Sequence, residues 1–281
     1  MEFLQPSRTA QGAALHRAAH QLLDIPPVFT DPLALTVIGR EAEAELRANP
    51  DQPASTGLRA FIAARSRLAE DALAEASARG VAQYVLLGAG LDTLAYRSGT
   101  DYPALKVFEI DHPATQQWKR ARLSETDISV PDNVIFVPVD FEDDTLAAGL
   151  ARAGFNFYRP AVLAWLGVTP YLSADTVHET LHYIAQAMCE DSQIVFDYAE
   201  PPDHMTAEQR ASFTAMAERV ASLGEPFRSF LEPKPLAREM AGMGFSAVED
   251  FDSAALNALY FAGRADGLKL TGRGHLVRAR V

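Results

Sequence analysis

The residues best suited to chemistry stand at the ends of short apolar runs. Leu87-Gly88-Ala89-Gly90-Leu91-Asp92-Thr93 closes the run at 83–87. Glycines there let the backbone turn sharply and approach a ligand closely. The pattern is not the full G-x-G-x-x-G dinucleotide fingerprint, because position 93 is threonine, and it lacks the Gly-Lys-Ser/Thr ending of a phosphate-binding loop. Alone, it also fits a plain strand-to-helix turn. About 20 residues on, Phe108-Glu109-Ile110-Asp111 ends a second run, the spacing at which an acid accepts hydrogen bonds from ribose hydroxyls. Glu109 and Asp111 share a strand face by period-2 alternation, so one is expected to bind and the other to orient it. A third run ends Val137-Pro138-Val139-Asp140-Phe141. Its carboxylate can accept from an adenine amino group while Phe141 covers the ring, although in isolation Asp140 reads as a helix N-cap. Three strand ends in succession are more specific than any one, since open α/β sheets bind ligands at the carboxyl ends of their strands.

The elements that must position these residues are strands alternating with helices. Apolar runs at 83–87, 105–110, 134–139, 161–166 and 193–196 are separated by helix-compatible stretches that include 115–123 and 174–188. That alternation predicts a parallel sheet with right-handed crossovers. Further on, a helix at 236–243 ends at Gly244, and extended segments at 245–251 and 275–281 suit an antiparallel hairpin at a sheet edge. Residues 1–80 hold no convincing strand. Helices are expected at 9–23, from Asp31-Pro32 as N-cap and first turn, and at 58–78, stopped by Gly80. The expected fold is α/β and Rossmann-like: a mostly parallel seven-stranded sheet with an antiparallel closing strand. Residues 1–80 would form an N-terminal helical cap and 81–281 the core, with a helical insertion near 201–235.

LLGAGLDTLAYR (86–97), VFEIDHPATQQWK (107–119) and VPVDF (137–141), with FIAARSRLAED (61–71), DPLA from Asp31, WLGVTPYLS (165–173) and FAGRADGL, together resemble one family. It is the leucine carboxyl methyltransferase-like family of class I S-adenosyl-L-methionine-dependent methyltransferases, particularly its bacterial natural-product and polyketide O-methyltransferase members. The resemblance covers nearly the whole chain. It implies that Gly88, Ala89 and Gly90 lie under the methionine part of the cofactor, that Asp111 holds the ribose, and that Asp140 with Phe141 meets the adenine. It also implies that Arg65 pairs with the cofactor carboxylate, a role a guanidinium fills bidentately; Arg67 is its neighbouring competitor. One position departs from the family. Leu166 stands where many members carry glutamate before Gly167, which weakens the transfer of substrate identity, so the namesakes' protein-carboxyl methylation is not assumed.

Methyl transfer from a sulfonium asks the protein mainly to align the acceptor and exclude water. A carboxylate acceptor needs no general base, whereas a hydroxyl usually does. Acceptor-side candidates are Thr169 and Tyr171, after the fourth strand, and His20, one helical turn beyond His16 in the cap. Each histidine, His112 included, otherwise reads as a surface or structural residue. Phe213, Met216, Phe227 and Phe230 could line an acceptor pocket or pack an inserted helix.

The bulk properties narrow the partners. Of 281 residues, 48% are hydrophobic and 22% charged, which suits a soluble globular chain. A net charge of −12 argues against a nucleic-acid backbone as partner. Cys189 is the only cysteine, so neither an intrachain disulfide nor a multi-cysteine metal site is expected, and a reducing cytoplasm fits. No signal peptide or membrane span is expected. The reading is a cytoplasmic O-methyltransferase for a small-molecule acceptor, with no metal, no nucleic-acid or membrane partner, and an open oligomeric state. A nicotinamide-dependent oxidoreductase and a catalytically silent cofactor-binding scaffold are the alternatives.

Overall fold

The structure is a computed structural model and describes residues 7–49, 56–139 and 145–281. Helices α1 (Arg8–Leu23), α2 (Ala34–Val37), α3 (Arg40–Ala48) and α4 (Thr56–Ala78) lead into strand β1 (Gln83–Leu87). Then follow α5 (Leu94–Arg97), β2 (Lys106–Asp111), α6 (Pro113–Glu125), β3 (Val134–Pro138), α7 (Leu146–Arg152), β4 (Val162–Trp165), α8 (Ala174–Ala187) and β5 (Gln193–Ala199). The chain closes with α9 (Ala207–Ser222), α10 (Pro233–Met243), β6 (Ala247–Phe251), α11 (Ser253–Leu256) and β7 (Gly274–Arg280). No described helix is long and apolar enough to cross a membrane.

The seven strands form one sheet in the order β3-β2-β1-β4-β5-β7-β6. The first five run parallel, and β7 is antiparallel to both of its neighbours. The sequence predicted a closing antiparallel pair. The structure inserts β7 between β5 and β6, so the later strand is interior and the earlier one forms the edge. Strand order reverses between β1 and β4, the switch point at which open α/β sheets leave a crevice for ligands.

Period-2 alternation splits the core into two layers. Val85, Leu87, Phe108, Ile110, Leu163, Trp165 and Phe196 face one side, with Leu150, Val177, Leu181 and Met240 from α7, α8 and α10. Tyr84, Leu86, Val107, Ala164 and Val195 face the other, beneath the alanine stripe of α4, Ala60 to Ala76. Small side chains let that 23-residue helix lie close against the sheet. Leu91, after the glycine turn, joins a third cluster with Ala14, Ala18, Val37 and Leu46 of α1–α3.

The second helix starts at Ala34, three residues beyond the predicted cap. Asp31 is otherwise engaged: Oδ1 accepts from Leu33 N–H (3.0 Å), and Oδ2 accepts from the Thr93 hydroxyl (2.7 Å) and pairs with Arg17 (2.8 Å). Arg17 also donates to the Leu91 carbonyl. This buried network fixes α1 across the turn that follows β1.

Candidate functional site

The turn after β1 needs glycine for conformation and for space. Gly88 and Gly90 have φ of +71° and +45°, in the left-handed region that side chains avoid. A Cβ on Gly88 would stand 2.4 Å from Val168, and one on Gly90 would stand 3.2 Å from Ala10 of α1. Gly88 and Ala89 N–H both donate to the Ile110 carbonyl (2.8 and 3.0 Å), which ties the turn to the end of β2.

Asp111 lies at that end. Oδ2 accepts from Gly90 N–H (2.7 Å) and Oδ1 from His112 N–H (2.8 Å). Burial pushes its carboxyl up, and the two backbone donors oppose that. Each oxygen keeps a lone pair, so the ionised group can still accept from a vicinal diol. Glu109, on the same face, is committed elsewhere. It is 1% exposed, Oε2 lies 2.8 Å from Lys119 Nζ, and the Tyr96 hydroxyl donates to it at 2.9 Å. Of the two acids, Asp111 is the one at the turn.

Arg65 projects from α4 against Gly167, where a Cβ would stand 2.6 Å from Nη1. Nη1 donates to Asp197 Oδ2 of β5 at 3.3 Å. That contact is long, and it leaves other N–H groups of the guanidinium available to a further carboxylate. Asp197 also accepts from Gly167 N–H, and burial pushes its carboxyl up while Arg65 draws it down. Asp197 had no sequence signal beyond its position at a strand end. Arg67 is tied to Asp71 (2.7 Å) and the Val28 carbonyl (3.2 Å), away from this cluster. Leu166 packs into the core layer under α4. Asp140 and Phe141 lie outside the described residues.

The acceptor-side candidates separate. Thr169 is fully buried, its hydroxyl donates to the Asp197 carbonyl, and its own carbonyl accepts from Ser229 (2.8 Å). His20 is fully buried too: Nδ1–H donates to Asp24 (2.7 Å) and Nε2 accepts from Val28 and Phe29 N–H (3.0 and 3.2 Å). Asp24 in turn receives both arms of Arg59 (2.8 and 3.0 Å). Neither side chain has a polar hydrogen or imidazole nitrogen left for an acceptor. Tyr171 remains. Its phenol is pushed up by burial and hydrogen-bonded by Thr9 of α1. Its ring lies 5.4 Å from Phe227, which stacks on Phe213 at 5.6 Å, and Phe230 meets Phe213 edge-on at 5.7 Å. Glu225, beyond α9, accepts from Arg8 and Thr9 N–H (2.9 and 3.0 Å), a carboxylate at the positive end of α1. The α9 segment and α1 are thereby clasped together over Tyr171.

Glycine turn, half-buried acid and spare guanidinium donors thus converge at the switch point under a helical cover. That donor set fits a ligand carrying ribose hydroxyls at one end and an amino-acid carboxylate at the other. Among the described residues no cluster of histidine, cysteine or carboxylate suits a metal ion.

Comparison with known proteins gives the set a family. The profile of the family described as Leucine carboxyl methyltransferase matches residues 10–185. YktD of Bacillus subtilis (strain 168), assigned as an S-adenosyl-L-methionine-dependent methyltransferase, is 28% identical over 298 residues, covering 98% of each chain. A protein of Mycolicibacterium gilvum (strain PYR-GCK) with the same assignment is 33% identical over 198 residues, 69% of this chain and 76% of that one. Among solved structures, a protein of Thermobifida fusca YX assigned as a methyltransferase superposes with a TM-score of 0.61 at 17% identity, covering 99% of this chain and 96% of that one. A DUF574 family protein from Streptomyces avermitilis MA-4680 gives 0.54 at 18% identity, covering 94% and 96%. These two structures speak for the fold alone. None of these matches supports a nicotinamide-dependent oxidoreductase or a silent scaffold. The chain belongs to the leucine carboxyl methyltransferase family and is an S-adenosyl-L-methionine-dependent methyltransferase.

Proposed function

We propose that this methyltransferase methylates an oxygen, carboxylate or hydroxyl, of a small organic acceptor of polyketide type, enclosed beneath a cap formed by residues 1–80. The observation that carries the reading is the half-buried Asp111 carboxylate, braced by Gly90 and His112 N–H and set at the switch point that Arg65 approaches from α4. S-adenosyl-L-methionine, when bound, supplies an electrophilic methyl group. Asp111 would hold the ribose hydroxyls, Arg65 the carboxylate, and the Gly88-Ala89-Gly90 backbone would leave room for the methionine chain. Asp140 and Phe141 would take the adenine end. Tyr171, Phe213, Phe227 and Phe230 would exclude water and align an acceptor with an apolar body.

Titration calorimetry with S-adenosyl-L-methionine and S-adenosylhomocysteine tests the site. Charge-assisted hydrogen bonds are worth roughly 1.5–3 kcal/mol, so Asp111→Ala is expected to weaken both ligands at least about tenfold while the protein stays folded. Equal affinity in wild type and variant would remove Asp111 from the site. An acceptor panel of aromatic and aliphatic carboxylic acids and phenols then separates ester from ether formation.

A further inference from the structure

His16 is buried and the proposed chemistry leaves it unused. Thr9, Ala13, His16 and His20 follow the spacing that puts residues on one side of a helix. At one end of this row Thr9 engages Tyr171; at the other His20 is held by Asp24, Val28 and Phe29. Between them His16 is 9% exposed, and its Nδ1 has no hydrogen-bond partner among the described residues. A buried ring nitrogen without a partner is costly and calls for a reason.

Its surroundings are cationic. Arg59 and Arg65 of α4 and Arg219 of α9 all act on it, and with burial, the largest cause, they push the imidazole down to about 4. The ring is therefore neutral at pH 7, with one N–H to give. Arg59 is neutralised by Asp24, and Arg65 is partly so by Asp197. Arg219 is exposed on α9, where solvent screens its charge. Arg65 also acts on the Tyr171 phenol, so His16, Arg65 and Tyr171 lie about one place, beside the rings of Phe227 and Phe213. Glu225 and Asp197 act on that phenol as well, so the place carries both signs of charge and the unpartnered Nδ1 is what it leaves to be met.

We propose that His16 positions the acceptor, its Nδ1–H donating to the oxygen to be methylated when that oxygen is an anion. This rests on the methyltransferase site proposed above. An oxyanion attacks the methyl carbon: the C–O bond forms, the C–S electron pair returns to sulfur as a neutral thioether, and no proton has to move. The imidazole orients the attacking oxygen without serving as its base.

The test uses the full chain saturated with S-adenosylhomocysteine, with 2-naphthoate and 2-naphthol as probes and methyl 2-naphthoate as the neutral control. Calorimetry should show that one or both ionisable probes bind better than the ester. His16→Phe should weaken that binding at least about tenfold, whereas His16→Gln, which keeps an N–H donor, should stay within about threefold. S-adenosylhomocysteine affinity should be unchanged in both variants. In wild type, the His16 ring resonances should titrate at higher pH once the anionic probe is bound, a change that a packing role would not produce. Equal binding of probe and ester, no binding of either ionisable probe at millimolar concentration, an unmoved His16 titration, or an equal loss of S-adenosylhomocysteine affinity would each overturn the proposal. Failure of wild type to bind S-adenosylhomocysteine would instead bring down the cofactor site beneath it.

Discussion

Replacing Lys119 by methionine should destabilise the protein in a way that depends on pH, because it strands a buried carboxylate of β2. Lys119 Nζ and Glu109 Oε2 are 2.8 Å apart and both side chains are 1% exposed. Oε1 has no hydrogen-bond partner, so the pair has little other support than the Tyr96 hydroxyl at 2.9 Å. At an effective dielectric of about 20, a 2.8 Å pair attracts by roughly 6 kcal/mol, a large part of which offsets desolvation. Without the ammonium, burial, already the largest influence raising the Glu109 carboxyl above its ordinary 4.5, acts almost unopposed. The folded variant then holds Glu109 protonated, while the unfolded chain ionises it above pH 4.5. The folded state binds the extra proton, so stability falls with rising pH by about 1.4 kcal/mol per unit. Neutralisation thus caps the deficit near 3 kcal/mol at pH 7 and below about 1 kcal/mol at pH 5. At about 2 °C per kcal/mol for a chain of this size, Tm should drop by about 6 °C at pH 7 and about 1–2 °C at pH 5. Thermal unfolding of wild type, Lys119→Met and Glu109→Gln/Lys119→Met across this range is the assay. The double variant, with no carboxyl to titrate, should lose the pH dependence. A single-variant deficit of equal size at pH 5 and pH 7 would refute the argument and assign the loss to packing.

Two further outcomes are expected. Gly167→Ala places a methyl group 2.6–2.9 Å from the Arg65 guanidinium on a backbone with φ of +72°, so Arg65 must leave Asp197; S-adenosylhomocysteine affinity should fall about tenfold or more, and unchanged calorimetry would separate Arg65 from the cofactor. His275 lies between Asp250 (2.7 Å) and Glu200 (2.8 Å); burial opposes its protonation, but these carboxylates raise it above the ordinary 6.5. Its contribution to stability is complete below pH 6.5 and is lost as pH rises through the elevated folded value, so Tm should decline above pH 6.5 in wild type and more gently in His275→Gln.

The clasp explains why so much of the N-terminal region bears on the glycine turn after β1. Arg17, Asp31 and Thr93 join α1 to the segment after β1 through charges buried at the contact, and Glu225 joins α1 to the α9 segment. The desolvation of such buried pairs offsets much of their attraction, while removal of one partner leaves an uncompensated charge. They hold Ala10 over Gly90, which is what the proposed enclosure of an acceptor requires.

The parts legible in the sequence were those governed by local periodicity. β1 spans residues 83–87 as read from its apolar run, and α1, α4, α6 and α8 begin within two residues of their expected starts. Strand hydrophobicity and glycine geometry act over a few residues, so the turn at Gly88–Gly90 and the acid at Asp111 could be placed without a fold. Partner choice could not. Period 2 put Glu109 and Asp111 on one face but did not say that Lys119 and Tyr96 would claim the first. The pairing Asp31-Pro32 looked like a helix cap because its local chemistry allows one, yet Arg17 and Thr93, distant in sequence, take the carboxylate. His16 and His20 are one turn apart and chemically alike, and only the packing of α1 on α4 and α9 leaves one without a partner for Nδ1 while fully bonding the other. Sequence by itself determined the alternation of strands and helices and the ligand-capable strand ends, since both follow from side-chain period and backbone conformation. Tertiary structure alone decided which charges are matched, because ion pairs and desolvation depend on which surfaces the fold buries together.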